Sequence, residues 1–261
     1  ALGPAGLGGI YTTNIANYPS ATTSTFIDVI ADLGINVGTV SSNADRGITG
    51  GPSSPSRDNE GFVNSAKIGI GDIDLSEDGN TLYFTNLFDK KLYAVDITTY
   101  NTNGTKPTAS AVTSFALNLS CNGGDLRPWA IKVYKDQVYV GAVCDGNGGQ
   151  KSDLRAFVVA FNTLNNFSQE IVLEFPLTHP KGFSMFTYPS ETGWFPWTDD
   201  WLAKRAGNGF SDNDMLHPEP ILGDIEFDID GSIILGINDR TGLQTGNANY
   251  GPTDAFGGNL Y

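Results

Sequence analysis

GIGDIDLSEDGNTLYFTN, residues 69–86, returns 152 residues later as ILGDIEFDIDGSIILGIN, residues 221–238. Gly71-Asp72-Ile73-Asp74-Leu75 falls on Gly223-Asp224-Ile225-Glu226-Phe227, and Asp78-Gly79 falls on Asp230-Gly231. Apolar and polar residues alternate on both sides of each Asp-Gly, the pattern of an antiparallel hairpin whose turn tolerates positive φ. The first copy continues through an LFDK turn into a third strand, KLYAVDI. A second unit reads PWAIKVY, QVYVGAVC, LRAFVVAFN and the outer strand QEIVLEFPL. The third unit holds the second copy and, past a loop, GGNLY. WLAKRAG is the only short helix candidate, so helix is expected in well under a tenth of the residues.

Units of three or four antiparallel strands at intervals of roughly 60 to 90 residues fit propeller blades. The expected fold is an all-β propeller of four-stranded blades, with inner strands near 69–75, 129–134 and 222–229. A β-sandwich containing two similar hairpins is the alternative; the echo favours the propeller because it includes the turn and its register. The opening GGIYTTNI and the closing GGNLY both read as the third strand of a blade. Residues 1–261 are thus expected to form one partial propeller of about three blade periods, beginning and ending mid-blade. A longer polypeptide would complete the ring.

The chain sets 15 basic against 29 acidic residues, a net charge of −14. No basic cluster relieves it, so nucleic acid and anionic membrane surfaces are poor partners. No apolar stretch approaches the ~20 residues a membrane helix needs, so direct membrane insertion is not expected. Two cysteines occur, Cys121 and Cys144. They are either two half-buried thiols or a disulfide. Cys121 precedes one expected strand and Cys144 ends the next, so antiparallel pairing would bring them together. A bridge would imply an oxidising, exported location.

GDIDLSEDGNTLYFTNLFDKKLYAVDI resembles the repeats of the NHL and YVTN propeller groups. Taken with GPAGLGGIY, RPWAIKVYKDQVYVGAVCD, LRAFVVAFN and PEPILGDIEFDIDGSIILGINDRTGLQTGN, it is similar to a propeller region of large bacterial exported surface proteins. Those proteins often carry serine-aspartate-repeat B-like domains. The resemblance implies fold and compartment, an extracellular or cell-surface one, and supplies no catalytic residue.

Several residues invite a chemical role. Asp72 and Asp224 sit at equivalent inner-strand positions, with Asn86 and Asn238 as amide companions. They either cap neighbouring backbone or converge on a hard cation such as calcium. Asp212 and Asp214, with Glu219 nearby, have the Asp-x-Asp spacing that can begin a calcium loop but lack its sixth-position Gly and twelfth-position Glu, so a solvated loop is the favoured reading. Arg240 and Arg127 either pin loops through carboxylates or face a ligand. His179 and His217 stand without a nucleophile partner. Residues 183–210 form an aromatic-rich insertion with Trp194, Trp197, Trp201 and Tyr188. The insertion is either a packed lid or a platform for a glycan or surface protein, with Asp199 and Asp200 accepting hydroxyl hydrogen bonds. The expected function is a non-catalytic module of a secreted or cell-surface protein, serving adhesion, glycan contact or surface assembly. A metal-dependent propeller hydrolase or lactonase is the alternative, resting on Asp72, Asp224 and the asparagine pair.

Overall fold

Period-two alternation folds here into antiparallel sheets. The computed structural model describes residues 5–48, 57–182, 192–205 and 217–245. The closing GGNLY, residues 257–261, lies outside them. The protein is all-β, with 41% strand and 16% helix. Strands β1 (Gly9–Thr13) and β2 (Thr23–Asp28) form a pair. The first four-stranded sheet follows chain order: β3 (Ile70–Leu75), β4 (Thr81–Asn86), β5 (Lys91–Asp96) and β6 (Val112–Ala116). So does the second: β7 (Leu126–Tyr134), β8 (Gln137–Cys144), β9 (Arg155–Asn162) and β10 (Ser168–Pro176). A short pair, β11 (Pro180–Gly182) and β12 (Thr192–Gly193), precedes the pair β13 (Pro220–Phe227) and β14 (Ile233–Asp239). The strands expected near 69–75, 129–134 and 222–229 are β3, β7 and β13.

Alternate residues of one strand serve two cores, because successive side chains leave opposite faces. Leu82, Phe84, Tyr93 and Val95 pack against Ile10, Ile27 and Val29 around the β1–β2 pair. Tyr83, Leu92 and Ala94 turn the other way, onto Ile131, Val138, Val140 and Phe157 of the second sheet. That sheet's opposite face, with Tyr139, Val143 and Val158, meets Ile221, Leu222 and Ile225 of β13. The sheets therefore lie face to face in chain order. Their first strands are neighbours, β7 lying against β3 on one side and β13 on the other.

Helix exceeds the expected tenth. Among the described residues the excess is short helices in connections: α1 (Asn59–Asn64), α2 (Thr98–Asn103), α3 (Trp201–Arg205) and α4 (Arg240–Thr245), beside four 3-10 turns. Each of the four α-helices is about one or two turns long, too short for an amphipathic stripe to show. Local chemistry ends them instead. Asp58 caps α1 by accepting from Gly61 N–H, and Gly104, at φ 78°, closes α2.

The register of the echo also needs correction. Ser76 N–H donates to Thr81 O in the first hairpin, while Asp228 N–H donates to Ser232 O in the second. The second loop is one residue shorter, so Leu75 faces Leu82 but Phe227 faces Ile233. Both loops keep a left-handed glycine, Gly79 at φ 71° and Gly231 at φ 87°. Turn length sets hairpin register, and Asn238 is exposed where Asn86 is fully buried.

Cys121 and Cys144 form a disulfide across 23 positions. On a chain-entropy model such a loop stabilises the fold by about 3 kcal/mol.

Candidate functional site

In the first copy of the echo, Asp72 and Asp74 bind backbone. Asp72 Oδ2 accepts from Ile131 N–H of β7 (3.0 Å), and its Oδ1 accepts from Ile73 N–H (2.8 Å). Asp74 repeats the arrangement with Val133 N–H (2.7 Å) and Leu75 N–H (2.8 Å). Glu77 takes Lys135 N–H at 2.8 Å. Three carboxylates thus occupy alternate amides, two along the open edge of β7 and one just past its end. An edge strand left bare would be a template for foreign pairing. Gly71 permits the approach, since a Cβ there would stand 2.4 Å from Thr85 Oγ1 and 3.1 Å from Trp129 O. Burial raises the Asp72 carboxyl above its usual range, against the lowering effect of its amide partners.

Asn86 is also committed, donating to Asn36 O (2.9 Å) and accepting from Phe88 N–H (3.0 Å). Asp224 and Asn238 are exposed. No group of three or more His, Cys, Asp or Glu placed to hold a metal lies among the described residues.

The described part of the aromatic insertion turns inward. Trp194, Trp197 and Trp201 are all buried, which is the packed arrangement of the two set out above. Tyr188 lies outside the described residues, as do Asp212 and Asp214. Trp197 joins three segments. Its Nε1 donates to Pro220 O (2.9 Å), and its backbone N–H donates to Asp145 O (2.8 Å). Two guanidinium groups stand over its ring, Arg240 at 4.5 Å and Arg127 at 5.3 Å. Trp194 Nε1 donates to His179 Nε2 (3.2 Å), and Trp201 meets Phe62 edge-on.

Behind Trp197 lies a buried ion network. Glu219 takes Lys204 Nζ on Oε1 (2.5 Å) and Arg240 Nη1 on Oε2 (2.7 Å), and all three residues are fully buried. Arg240 Nη2 reaches Asp199 Oδ1 (2.9 Å), whose Oδ2 holds Lys67 (2.5 Å). Arg240 Nε donates to Ser65 O (2.9 Å), so the network ties the stretch before β3 to the start of β13. Asp199 therefore serves two internal cations, which hold its carboxyl below the usual range against the burial that would raise it. Arg127 likewise pins its own loop, pairing with Asp145 (2.7 Å) and Asp125 (2.9 Å). Burial pushes Lys204 down to about 8 and raises Glu219. Lys204 and Lys67 carried no sequence signal, because their carboxylate partners Glu219 and Asp199 are distant along the chain.

His217 gives this region a pH signature. Burial, followed by the Lys204 charge, pushes its pKa down to about 4 from 6.5. A histidine depressed by folding takes its proton more readily in the unfolded chain. Its contribution is therefore complete above 6.5 and is lost as pH falls toward 4. Between pH 7 and pH 5 this group should remove about 2 kcal/mol of stability. Urea titrations of the native protein and His217→Gln will check it: the variant should lose that much less over the same interval.

One open cleft of about 810 Å³ lies between the two four-stranded sheets. Tyr83, Phe115 and Phe167 form its aromatic part, with Phe115 and Phe167 stacked at 4.1 Å. Thr81, Thr113 and Thr163 add hydroxyls, and Asp96 and Asp136 add carboxylates. No sequence motif marks this place, since its lining comes from five separate segments.

No family model and no solved structure matches the chain. Among curated proteins, Colossin-C of Dictyostelium discoideum is similar, at 27% identity over 165 residues. The match covers 62% of this chain and 14% of Colossin-C, so the chain spans a small part of that relative's length.

Proposed function

We propose that the face-to-face sheets are successive blades of a β-propeller, and that the chain is a non-catalytic module of a secreted or cell-surface protein. Adjacent first strands and sheets ordered outward from them support the propeller. The disulfide supports an oxidising compartment. The observation that carries the non-catalytic reading is the sealing of Lys204, Glu219 and Arg240. The described groups that most resemble acid–base machinery are spent on holding segments together.

Binding then falls to the inter-sheet cleft. Aromatic faces suit the C–H faces of a sugar, and threonine hydroxyls and carboxylates suit its hydroxyls. The acidic lining disfavours anionic ligands. Thr113 is exposed in this cleft, so Thr113→Arg fills it without entering the core. Retention on an array of neutral oligosaccharides should be lost in this variant while the melting temperature holds. Absence of oligosaccharide binding by the native chain, or sustained lactone turnover with calcium, would overturn the reading.

A further inference from the structure

Among the described residues two sheet edges are unfinished, and they are complementary. The Ser76–Thr81 closure makes Ile73 and Leu75 point their amides off the sheet, as the alternation of an antiparallel ladder requires. On β7 the corresponding amides, Ile131 and Val133, are held by the carboxylates of the preceding sheet. On β3, among the described residues, they meet just Asp72 and Asp74 beside them in the chain. The side chains repeat the contrast. Ile73 is 43% exposed and Leu75 46%, where Ile131 is 3%. A groove of about 290 Å³ separates β3 from β1, lined by Leu7, Ile10, Tyr11, Ile70 and Ile73 among others. Among the described residues β1 is paired on one side, with β2.

The other edge is β13–β14. Asp224 and Glu226 stand at the positions of Asp72 and Asp74, and both are exposed. No strand amide of the described residues meets them; Glu226 pairs with Lys132 at 2.9 Å. β14 likewise carries no strand on its outer side among the described residues.

We propose that a second copy of this chain joins these edges head to tail. Its β13–β14 hairpin enters the groove between β1 and β3, Asp224 and Glu226 accept the amides of Ile73 and Leu75, and β14 pairs with β1. The result is a four-stranded sheet in the order β13–β14–β1–β2, built like the two complete sheets. This is strand addition to an open edge. Because the two surfaces differ, the contact is heterologous and propagates into chains. It deepens the surface-assembly part of the proposed function and rests on that reading. A net charge of −14 on each copy opposes the contact, so salt should strengthen it.

Sedimentation of the full chain, from micromolar to near-millimolar concentration, tests the proposal. The native chain should pass through dimers to longer species. Asp224→Lys spoils the presenting edge and Ile73→Glu the receiving face. Each should weaken self-association about tenfold or more, a loss of ~1.4 kcal/mol. Both sites are exposed, and circular dichroism checks that each variant folds. Mixed together, the two variants should form dimers that grow no further, since one good edge of each kind remains. A native chain that stays monomeric throughout, or variants that associate as it does, would overturn the proposal. Oligosaccharide binding retained by such a monomer would leave the non-catalytic module standing without it.

Discussion

Trp197→Ala is expected to lower the stability of the protein by about 3–5 kcal/mol, the range for large aromatic truncations in a core. Trp197 is 2% exposed, and its ring packs against both Arg127 and Arg240. Truncation leaves a void, strips Pro220 O of its donor and removes the surface on which two guanidinium groups rest. Those losses fall on one site, so the upper part of the range applies. Denaturant unfolding measures it directly. A shift below about 1 kcal/mol would mean the indole stands in solvent, as an open partner-binding platform requires.

The second large effect belongs to Glu219. Its carboxylate separates Lys204 from Arg240, and both cations are fully buried. Glu219→Ala leaves two buried positive charges without their anion, which costs about 3–5 kcal/mol when one member of a buried pair is deleted. The cost measures the stranded charges, not the worth of the pair, so a well-packed apolar replacement of several members could be far milder. The exposed Arg155–Glu174 pair supplies the contrast, with side chains 38% and 41% accessible at 2.7 Å. Glu174→Ala should change stability by under about 1 kcal/mol despite the similar distance. Equal costs for the two substitutions would show that burial does not govern the network.

Strands were legible in the sequence wherever side-chain alternation was local. Asp72-Ile73-Asp74-Leu75 announces β3, and the Asp-Gly turns locate both hairpins. Three things were not legible. The one-residue slip between the hairpins comes from loop closure, Ser76 to Thr81 against Asp228 to Ser232, and identical Asp-Gly letters conceal it. The helices α1, α2 and α4 are too short for a periodic signal. The direction of the tryptophans depends on Arg127 and Arg240, far from Trp197 in the chain, so composition alone left lid and platform both open. The disulfide, in contrast, followed from two neighbouring strands and needed no distant information.

One device organises the fold: carboxylates of one sheet close the edge of the next, finished at β7 and, among the described residues, unfinished at β3. Amide hydrogen exchange of the dilute chain reads both edges at once. Ile131 and Val133 should exchange at least about tenfold more slowly than Ile73 and Leu75, because their amides are tied to another sheet whereas those of Ile73 and Leu75 meet the preceding residue's carboxylate on an exposed edge. Asp72→Ala with Asp74→Ala should erase that difference. Four amides exchanging alike in the native chain, or protection at Ile131 and Val133 surviving both substitutions, would contradict it.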